Sequence, residues 1–521
     1  MKVRELFYLI SAILLIGIAL IYFVWWPPVL WFLILIGPLI LLGIYDTLQT
    51  KHTIRRNFPL IGNFRYMLER VRPEIQQYFV ETDTEGRPIN RLFRSIAYQR
   101  AKKAIDTTPF GTQMELYKSG YEWMSYSIYA SGLDSRKEQG RVTVGGEDCK
   151  HPYSSSILNI SAMSFGALSD KAVLAFNKGA KRGNFAQNTG EGSISPYHLK
   201  YGGDLIWQIG TGYFGCRDEE GNFHEGLFAE KAQWDSVKMI ELKISQGAKP
   251  GHGGILPASK NSKEIAAIRH VEPHTTISSP PSHTAFSGPE GLMHFIKKLR
   301  DLSGGKPVGF KLVIGLKSEF IDICRAMIKT GIKPDFITID GGEGGTGAAP
   351  IEFSNRLGAP IREGLAFAIN TLRGYDLKKD IKVVASGKVI TGFHIARLLA
   401  LGADMVNSAR AMMLAIGCIQ ALQCNLNTCP TGITTQNKSL TRGLVVDDKA
   451  IRVANYHEET LRSLIELVAA TGVKNLSDLN RGHIERRVSM SKVLNYRELY
   501  PEVEEGAYLV NDVDAETVKV T

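Results

Sequence analysis

Two long apolar runs open the chain. Leu6 to Val24 is 19 residues without a charge, and Val29 to Tyr45 is 17 more. At 1.5 Å per residue each reaches across a hydrocarbon core of about 30 Å, the second only just. Between them stands Trp25-Trp26-Pro27-Pro28. Paired prolines break a helix, and tryptophans favour the membrane interface. The pattern predicts a transmembrane helical hairpin over residues 1–48, with spans at about 6–24 and 29–45. Neither run has a polar face, which argues against two buried helices of a soluble domain. A signal peptide is the rival reading, but the first run is long for one and a second span follows at once.

Residues 49–150 are charged and mixed. Arg70 to Phe79 and Asn90 to Ile105 place apolar residues at helical spacing, so this region is expected to form a mainly helical cap. From about residue 155 short apolar runs alternate with helical stretches. Eight strand candidates follow: Ile157–Ser161, Phe185–Gln187, Met239–Ile244, Thr275–Ser278, Val308–Val313, Phe336–Ile339, Val383–Ala385 and Asp404–Val406. Helical runs such as Gly288–Leu302, Glu319–Thr330, Glu363–Leu372 and Gly392–Leu401 separate them. Eight βα units predict an α/β fold, a (β/α)8 TIM barrel over residues 151–475. A doubly wound open sheet is the alternative, and no G-x-G-x-x-G opens a helix after the first strand to favour it. Residues 450–471 form one more amphipathic helix, and a tail over 476–521 reads as surface from Glu485 onward.

Charge adds an orientation. The 521 residues carry a net charge of +10, and Lys2, Arg4, Lys51, Arg55 and Arg56 flank the apolar runs while the turn between them has no charge. Positive-inside bias puts both ends, and the catalytic domain, in the cytoplasm of a multi-pass protein of the cell membrane. The remaining Lys and Arg are dispersed, so nucleic acid is not an expected partner. Six cysteines do not make a disulfide framework.

Three of those cysteines are clustered as Cys418-x5-Cys424-x4-Cys429. Three thiols with no fourth nearby suit a cluster with three iron corners better than a four-ligand zinc site. Three buried structural cysteines are the plain alternative. Other polar and glycine-rich words begin at the C-terminal ends of the strand candidates, the face on which TIM barrels carry their active sites. Ser386-Gly387-Lys388 and Ser408-Ala409-Arg410 end the last two strands, where such barrels bind phosphate. Ordinary turns with surface cations are the alternative there. Lys311 stands in an otherwise apolar strand, an unusual place for a lysine. Asp340 to Gly347 has five glycines in eight residues, which fits backbone contact with a ligand or a mobile loop.

The words SAMSFGALS (Ser161–Ser169), QNTGEGS (Gln187–Ser193), KISQGAKPGHGG (Lys243–Gly254), ISSPPSH (Ile277–His283), FKLV (Phe310–Val313) and DGGEGGTGAAP (Asp340–Pro350) occur in this order before the cysteine segment. Over roughly residues 155–475 the chain resembles the central FMN-binding domain of glutamate synthases. The resemblance implies FMN and a [3Fe-4S] cluster, the latter on Cys418, Cys424 and Cys429. It implies FMN contacts from Ser161, Ala162, Met163, Ser164, Gln187, Lys311, Gly344, Gly345, Ser386, Gly387, Lys388, Ser408, Ala409 and Arg410. Glu191 matches the family's active-site glutamate, and Lys311 stands where a cation would stabilise negative charge on reduced flavin. Lys249 and Arg269, with Glu191, match the positions that handle a 2-oxo acid substrate. The sequence departs from the family at Lys388, where a glycine is usual, at His252, where a glutamate is usual, and at Ile255, where a glutamine contacts 2-oxoglutarate.

The resemblance implies reductive amination of 2-oxoglutarate, or a related 2-oxo acid, with ammonia to give an amino acid. No room is left for a glutaminase domain before the hairpin and no dinucleotide fingerprint marks an NAD(P)H site, so ammonia and electrons are expected from outside. The electron donor would be a ferredoxin, an NAD(P)H reductase subunit or a quinone. One alternative is a membrane-linked flavin dehydrogenase of an amino or hydroxy acid. Another is a non-catalytic barrel acting as the scaffold of a membrane complex.

Overall fold

The computed structural model describes residues 2–104, 107–130 and 140–510. Ile105, at the end of the expected helix, and the last part of the expected tail, 511–521, lie outside the described residues. The chain divides into two compact units, Met1–Arg91 and Leu92–Thr521.

The first unit holds two apolar helices, Val3–Val24 and Phe32–Leu48, joined through a 3-10 turn at Pro27–Trp31. The spans Val3–Val24 and Pro27–Leu48, 22 residues each, are long and apolar enough to cross a membrane. Tyr8 on the first helix meets Thr47 on the second through a 2.6 Å hydroxyl contact. A short helix, Thr53–Asn57, then turns the chain into the helix Ile61–Ile75, which ends in a π turn at Gln76–Val80.

The second unit is a closed parallel barrel. Its strands are β1 (Leu158–Ile160), β2 (Gln187–Asn188), β3 (Leu205–Ile209), β4 (Val237–Lys243), β5 (Val308–Leu312), β6 (Phe336–Asp340), β7 (Lys382–Ser386) and β8 (Met405–Ser408), each paired to the next and β8 to β1. The α/β barrel reading therefore holds, with two corrections. Leu205–Ile209 is a barrel strand that the pattern did not single out. Thr275–Ser278 is not one: Ile277–Ser278 forms only a two-residue antiparallel hairpin with Ile255–Leu256 outside the barrel. A β-branched run gives strand propensity but does not choose the partner.

Side chains two apart along a strand share a face, so the interior is layered. Ile206, Met239, Phe336, Val384 and Met405 fill the N-terminal end, with Val144 and Tyr153 of the hairpin Arg141–Val144/Tyr153–Ser156 packed beneath them. Two residues further along stand Gln208, Glu241, Thr338, Ser386 and Asn407, all buried and all polar. Glu241 accepts from Asn188 Nδ2 (2.8 Å), Gln208 Nε2 (2.7 Å) and Thr338 Oγ1 (2.6 Å). A hydrophobic floor thus carries a polar layer, and the next residues up open into the barrel mouth.

The helix Arg91–Lys102 packs on the barrel: Asn455 Nδ2 donates to Ala101 O at 3.1 Å, and Tyr98 Oη donates to Cys418 O at 2.7 Å. Beyond it, among the described residues, 107–130 form no helix; Glu122–Met124 pairs with Ile484–Arg487, which pairs with Val493–Asn495. The segment after Glu485 is therefore not all surface, since Tyr496 is fully buried and donates to Glu122 Oε1 at 2.8 Å.

Candidate active site at the barrel mouth

β2 ends in Thr189-Gly190-Glu191 and β4 in Lys243. Lys243 Nζ lies 2.9 Å from Glu191 Oε1. Gly210, just after β3, and Gly254 close on this carboxylate so tightly that a Cβ on either would fall 2.5 and 2.4 Å from its oxygens. A side chain at either position would displace the Glu191 carboxylate, so glycine backbone walls this side of the site. Burial pushes Glu191 up, but Lys243, Lys249 and Arg269 outweigh it and hold the carboxyl below its ordinary value. Burial pulls Arg269 down to about 10 and lowers Lys249, each partly restored by Glu191. Arg269 is no surface charge: it is 5% exposed, donates to Phe165 O at 2.9 Å and lies over the Phe214 ring. The sequence-expected substrate residues Glu191, Lys249 and Arg269 thus converge, and Lys243 joins them.

A second ion pair lies across the mouth. Lys311 Nζ on β5 is 3.3 Å from Asp340 Oδ2 at the end of β6. Asp340 Oδ2 also accepts from Gly247 N–H at 2.8 Å. Burial alone would lower Lys311, but Asp340, Glu241 and Glu191 raise it above the ordinary lysine value. His283 is neutral, pushed down to about 4 mainly by burial. Its Nε2 faces Lys243 O at 2.9 Å and its Nδ1 faces Tyr213 Oη at 3.0 Å. The carbonyl must accept, so Nε2 carries the proton and Tyr213 donates to Nδ1. Tyr213 Oη in turn accepts from Thr284 and Ala285 N–H, both at 3.1 Å.

The remaining strand ends line the same face. Ser161 N–H donates to Ser408 O at 3.0 Å, bringing the Ser161–Ser164 segment against the end of β8. Gly190 packs so closely that a Cβ there would meet Ser164 N at 2.6 Å. Arg410 donates to Glu343 O at 2.5 Å, and Gly345 lies against Arg410 with room for a Cβ only at 3.0 Å from Nε. The Gly344-Gly345 loop is thereby folded onto the Ser408–Arg410 turn. Lys388 has φ +47°, a left-handed conformation that glycine adopts without strain. Gln187 Oε1 and Asn407 Oδ1 are buried and unpartnered.

The cysteine segment follows β8. Among the described residues no three His, Cys, Asp or Glu side chains stand close enough to hold one metal ion. Cys418 is nonetheless within electrostatic reach of Cys424 and Cys429: burial, with a smaller part from those two thiols, pushes it up to about 11. Three non-glycine residues between them, Gln420, Leu422 and Asn427, have positive φ. Lys260, 3% exposed, donates to Cys424 O (2.6 Å), Thr434 O (2.7 Å) and Ala167 O (3.4 Å). Burial lowers its ammonium to about 8, with Cys424 and Cys429 pulling the other way.

Lys243, Asp340, Glu241, Tyr213, His283 and Lys260 were not singled out from sequence. A charge inside an apolar strand was the available signal for Glu241 and Lys243.

Residues 125–474 match the model of the conserved region in glutamate synthase. The chain belongs to the glutamate synthase family. It is 39% identical over 490 residues to the glutamate synthase large subunit-like protein YerD of Bacillus subtilis, covering 87% of this chain and 93% of that one. It is 34% identical over 341 residues to the archaeal glutamate synthase [NADPH] of Methanocaldococcus jannaschii, covering 65% of this chain and 63% of that one. Against the glutamate synthase [NADPH] large chain of Bacillus subtilis it is 32% identical over 324 residues, 61% of this chain and 20% of that one. The chain therefore spans most of the first relative, under two thirds of the second and a fifth of the third. Glutamate synthases are oxidoreductases acting on CH–NH2 donors, and this chain shares their conserved region over residues 125–474.

Proposed function

We propose that this glutamate synthase-like oxidoreductase reductively aminates 2-oxoglutarate, or a related 2-oxo acid, using ammonia and electrons delivered from outside the chain. The observation that carries this reading is the charge of the mouth. Glu191 is enclosed by Lys243, Lys249 and Arg269, so three buried cations and one carboxylate sum to two positive. A dicarboxylate is the complementary ligand, since buried cations need paired anions. Glu191, held ionised, accepts a proton on its carboxylate as the amine nitrogen adds to the substrate carbonyl.

FMN is supported by the family and by the chemistry of the mouth. Bound there, FMN supplies hydride transfer. Unpartnered Gln187 Oε1 and Asn407 Oδ1 offer acceptors, Lys311 offers a cation, and the Ser386–Lys388 and Ser408–Arg410 turns offer phosphate donors. Ser161, Ala162, Met163 and Ser164 would line the ring, and Gly344 and Gly345 would close over it. The residues fit a [3Fe-4S] cluster in one respect: three thiols stand on one loop, and both Cys424 and Cys429 are near enough to Cys418 to push its thiol up. The two apolar helices support a membrane-anchored chain, residues 1–48, with the catalytic unit on the cytoplasmic side.

The test is anaerobic. Reduced protein in mild detergent is mixed with 2-oxoglutarate and ammonium while flavin absorbance is followed. Prompt reoxidation with glutamate formed is expected; a flavin that stays reduced overturns this substrate. One observation favours a second reading. Ile255, in place of the family's glutamine, is 38% exposed on a hairpin and supplies no hydrogen bond. A membrane-linked dehydrogenase of an amino or hydroxy acid passing electrons to a quinone would tolerate that change.

A further inference from the structure

The helix Ile61–Ile75 presents a continuous apolar stripe that nothing in its own unit covers. Ile61, Phe64, Leu68, Val71 and Ile75 follow helical spacing, and each is between 40% and 68% exposed. At 100° per residue these positions lie opposite Gly62 and Tyr66. Those two face the preceding corner: a Cβ on Gly62 would meet Arg55 Cα at 2.9 Å, and Tyr66 packs under Arg55 and against His52. The helix therefore leans on the chain with one side and turns its apolar side away from it.

Its depth is fixed by one buried carboxylate. Asp46, fully buried near the end of the second apolar helix, accepts from Leu60 N–H at 3.0 Å and from Asn63 Nδ2 at 2.5 Å. The helix start is thus locked to the last turn of an apolar span, the level at which a crossing segment leaves the hydrocarbon. Charge points the same way. Between residues 51 and 80 there are six cations, Lys51, Arg55, Arg56, Arg65, Arg70 and Arg72, against two carboxylates, Glu69 and Glu74. Arg65 is partly neutralised by Glu69 at 3.0 Å. A helix with an apolar stripe, flanking arginines and a start at the membrane boundary has the features of one that lies in the interface plane.

We propose that Ile61–Ile75 is an interfacial helix that lays its apolar stripe on the anionic headgroup region of the bilayer. This rests on the reading of residues 1–48 as a membrane hairpin. The helix then holds the chain at the surface by area and charge, in addition to the anchor.

The full chain is reconstituted into lipid discs of phosphatidylcholine, with and without phosphatidylglycerol. A bimane label is placed on Leu68→Cys, on Val71→Cys and, across the helix, on Arg70→Cys. The unsubstituted chain, labelled in parallel, gives the background from its six native thiols. Brominated lipid is expected to quench positions 68 and 71 several-fold more than position 70, with iodide in the buffer showing the reverse order and phosphatidylglycerol sharpening both. Free iodide access at 68 and 71 overturns the proposal. So does protection from iodide without lipid quenching, which would mean that protein covers the stripe. A chain that fails to enter the discs overturns the hairpin reading itself, and is distinguished by co-elution with lipid.

Discussion

The ammonium of Lys260 donates to the carbonyl of Cys424 at 2.6 Å from a position 3% exposed. The same group reaches Thr434 O and Ala167 O, so one buried cation ties the cysteine loop to the segment that follows β1. Buried carbonyls that lose their donor cost about 1–3 kcal/mol each, more than an exposed contact of the same length.

Lys260→Met should therefore loosen the cysteine loop without dismantling the barrel. Iron per chain should fall while flavin content holds, read by iron assay and flavin absorbance on the same sample. Cys418→Ser, Cys424→Ser or Cys429→Ser should each remove iron outright, and undiminished iron in any of them would withdraw that ligand.

Glu191→Gln keeps the shape of the side chain but removes its charge and its basicity. Flavin reoxidation by 2-oxoglutarate with ammonium should slow by about 10²- to 10⁴-fold, the usual range for a general base. FMN should remain bound, because Glu191 pairs with Lys243 rather than with the phosphate turns. An unchanged rate would remove Glu191 from the chemistry.

Lys311→Met deletes a buried cation held 3.3 Å from Asp340. The carboxylate then stands unneutralised in the mouth, and negative charge on a reduced flavin is disfavoured. The flavin reduction potential should fall, measured by anaerobic titration against redox dyes. A potential that does not move would place Lys311 away from the flavin.

Glu122 tests the frame rather than the site. Its side chain is 5% exposed and pairs with Arg362 and with Arg397, the latter at 3.0 Å, and it accepts from Tyr496. Burial pushes the carboxyl up, but Arg397, Arg362 and the Tyr496 hydrogen bond more than offset it, so the folded group titrates below its ordinary value. A depressed carboxyl stabilises the fold fully above the unfolded glutamate value, about 4.3, and loses that contribution as pH falls through its folded value. Glu122→Gln should cost about 3 kcal/mol at neutral pH, as for a broken buried pair. Denaturant midpoints should show the gap to the parent chain narrowing below that pH.

Much of the barrel was legible because its strands repeat a local signal. β5, β6 and β7 are short apolar runs followed by helical stretches, and each lies within two residues of the expected bounds. β3 escaped although all five of its residues are buried, as they are in β5 and β6: its polar Gln208 is satisfied by Glu241 on the neighbouring strand, a pairing the local sequence does not show. Thr275–Ser278 misled for the opposite reason, having strand propensity without a barrel partner.

The sequence by itself determined the apolar helices, the βα alternation, the order of the glycine-rich words and the identity of the charged residues near them. Those are properties of spacing and side-chain chemistry, and they need no partner. Only the tertiary structure decided that Lys243 faces Glu191, that Lys311 faces Asp340 and that Lys260 lies beneath the cysteines. Each of those pairs joins residues 52, 29 or 164 positions apart. Barrel closure brings the strand ends together, and burial raises the energy of any charge left unpaired there, so the pairing is set by where the fold excludes water.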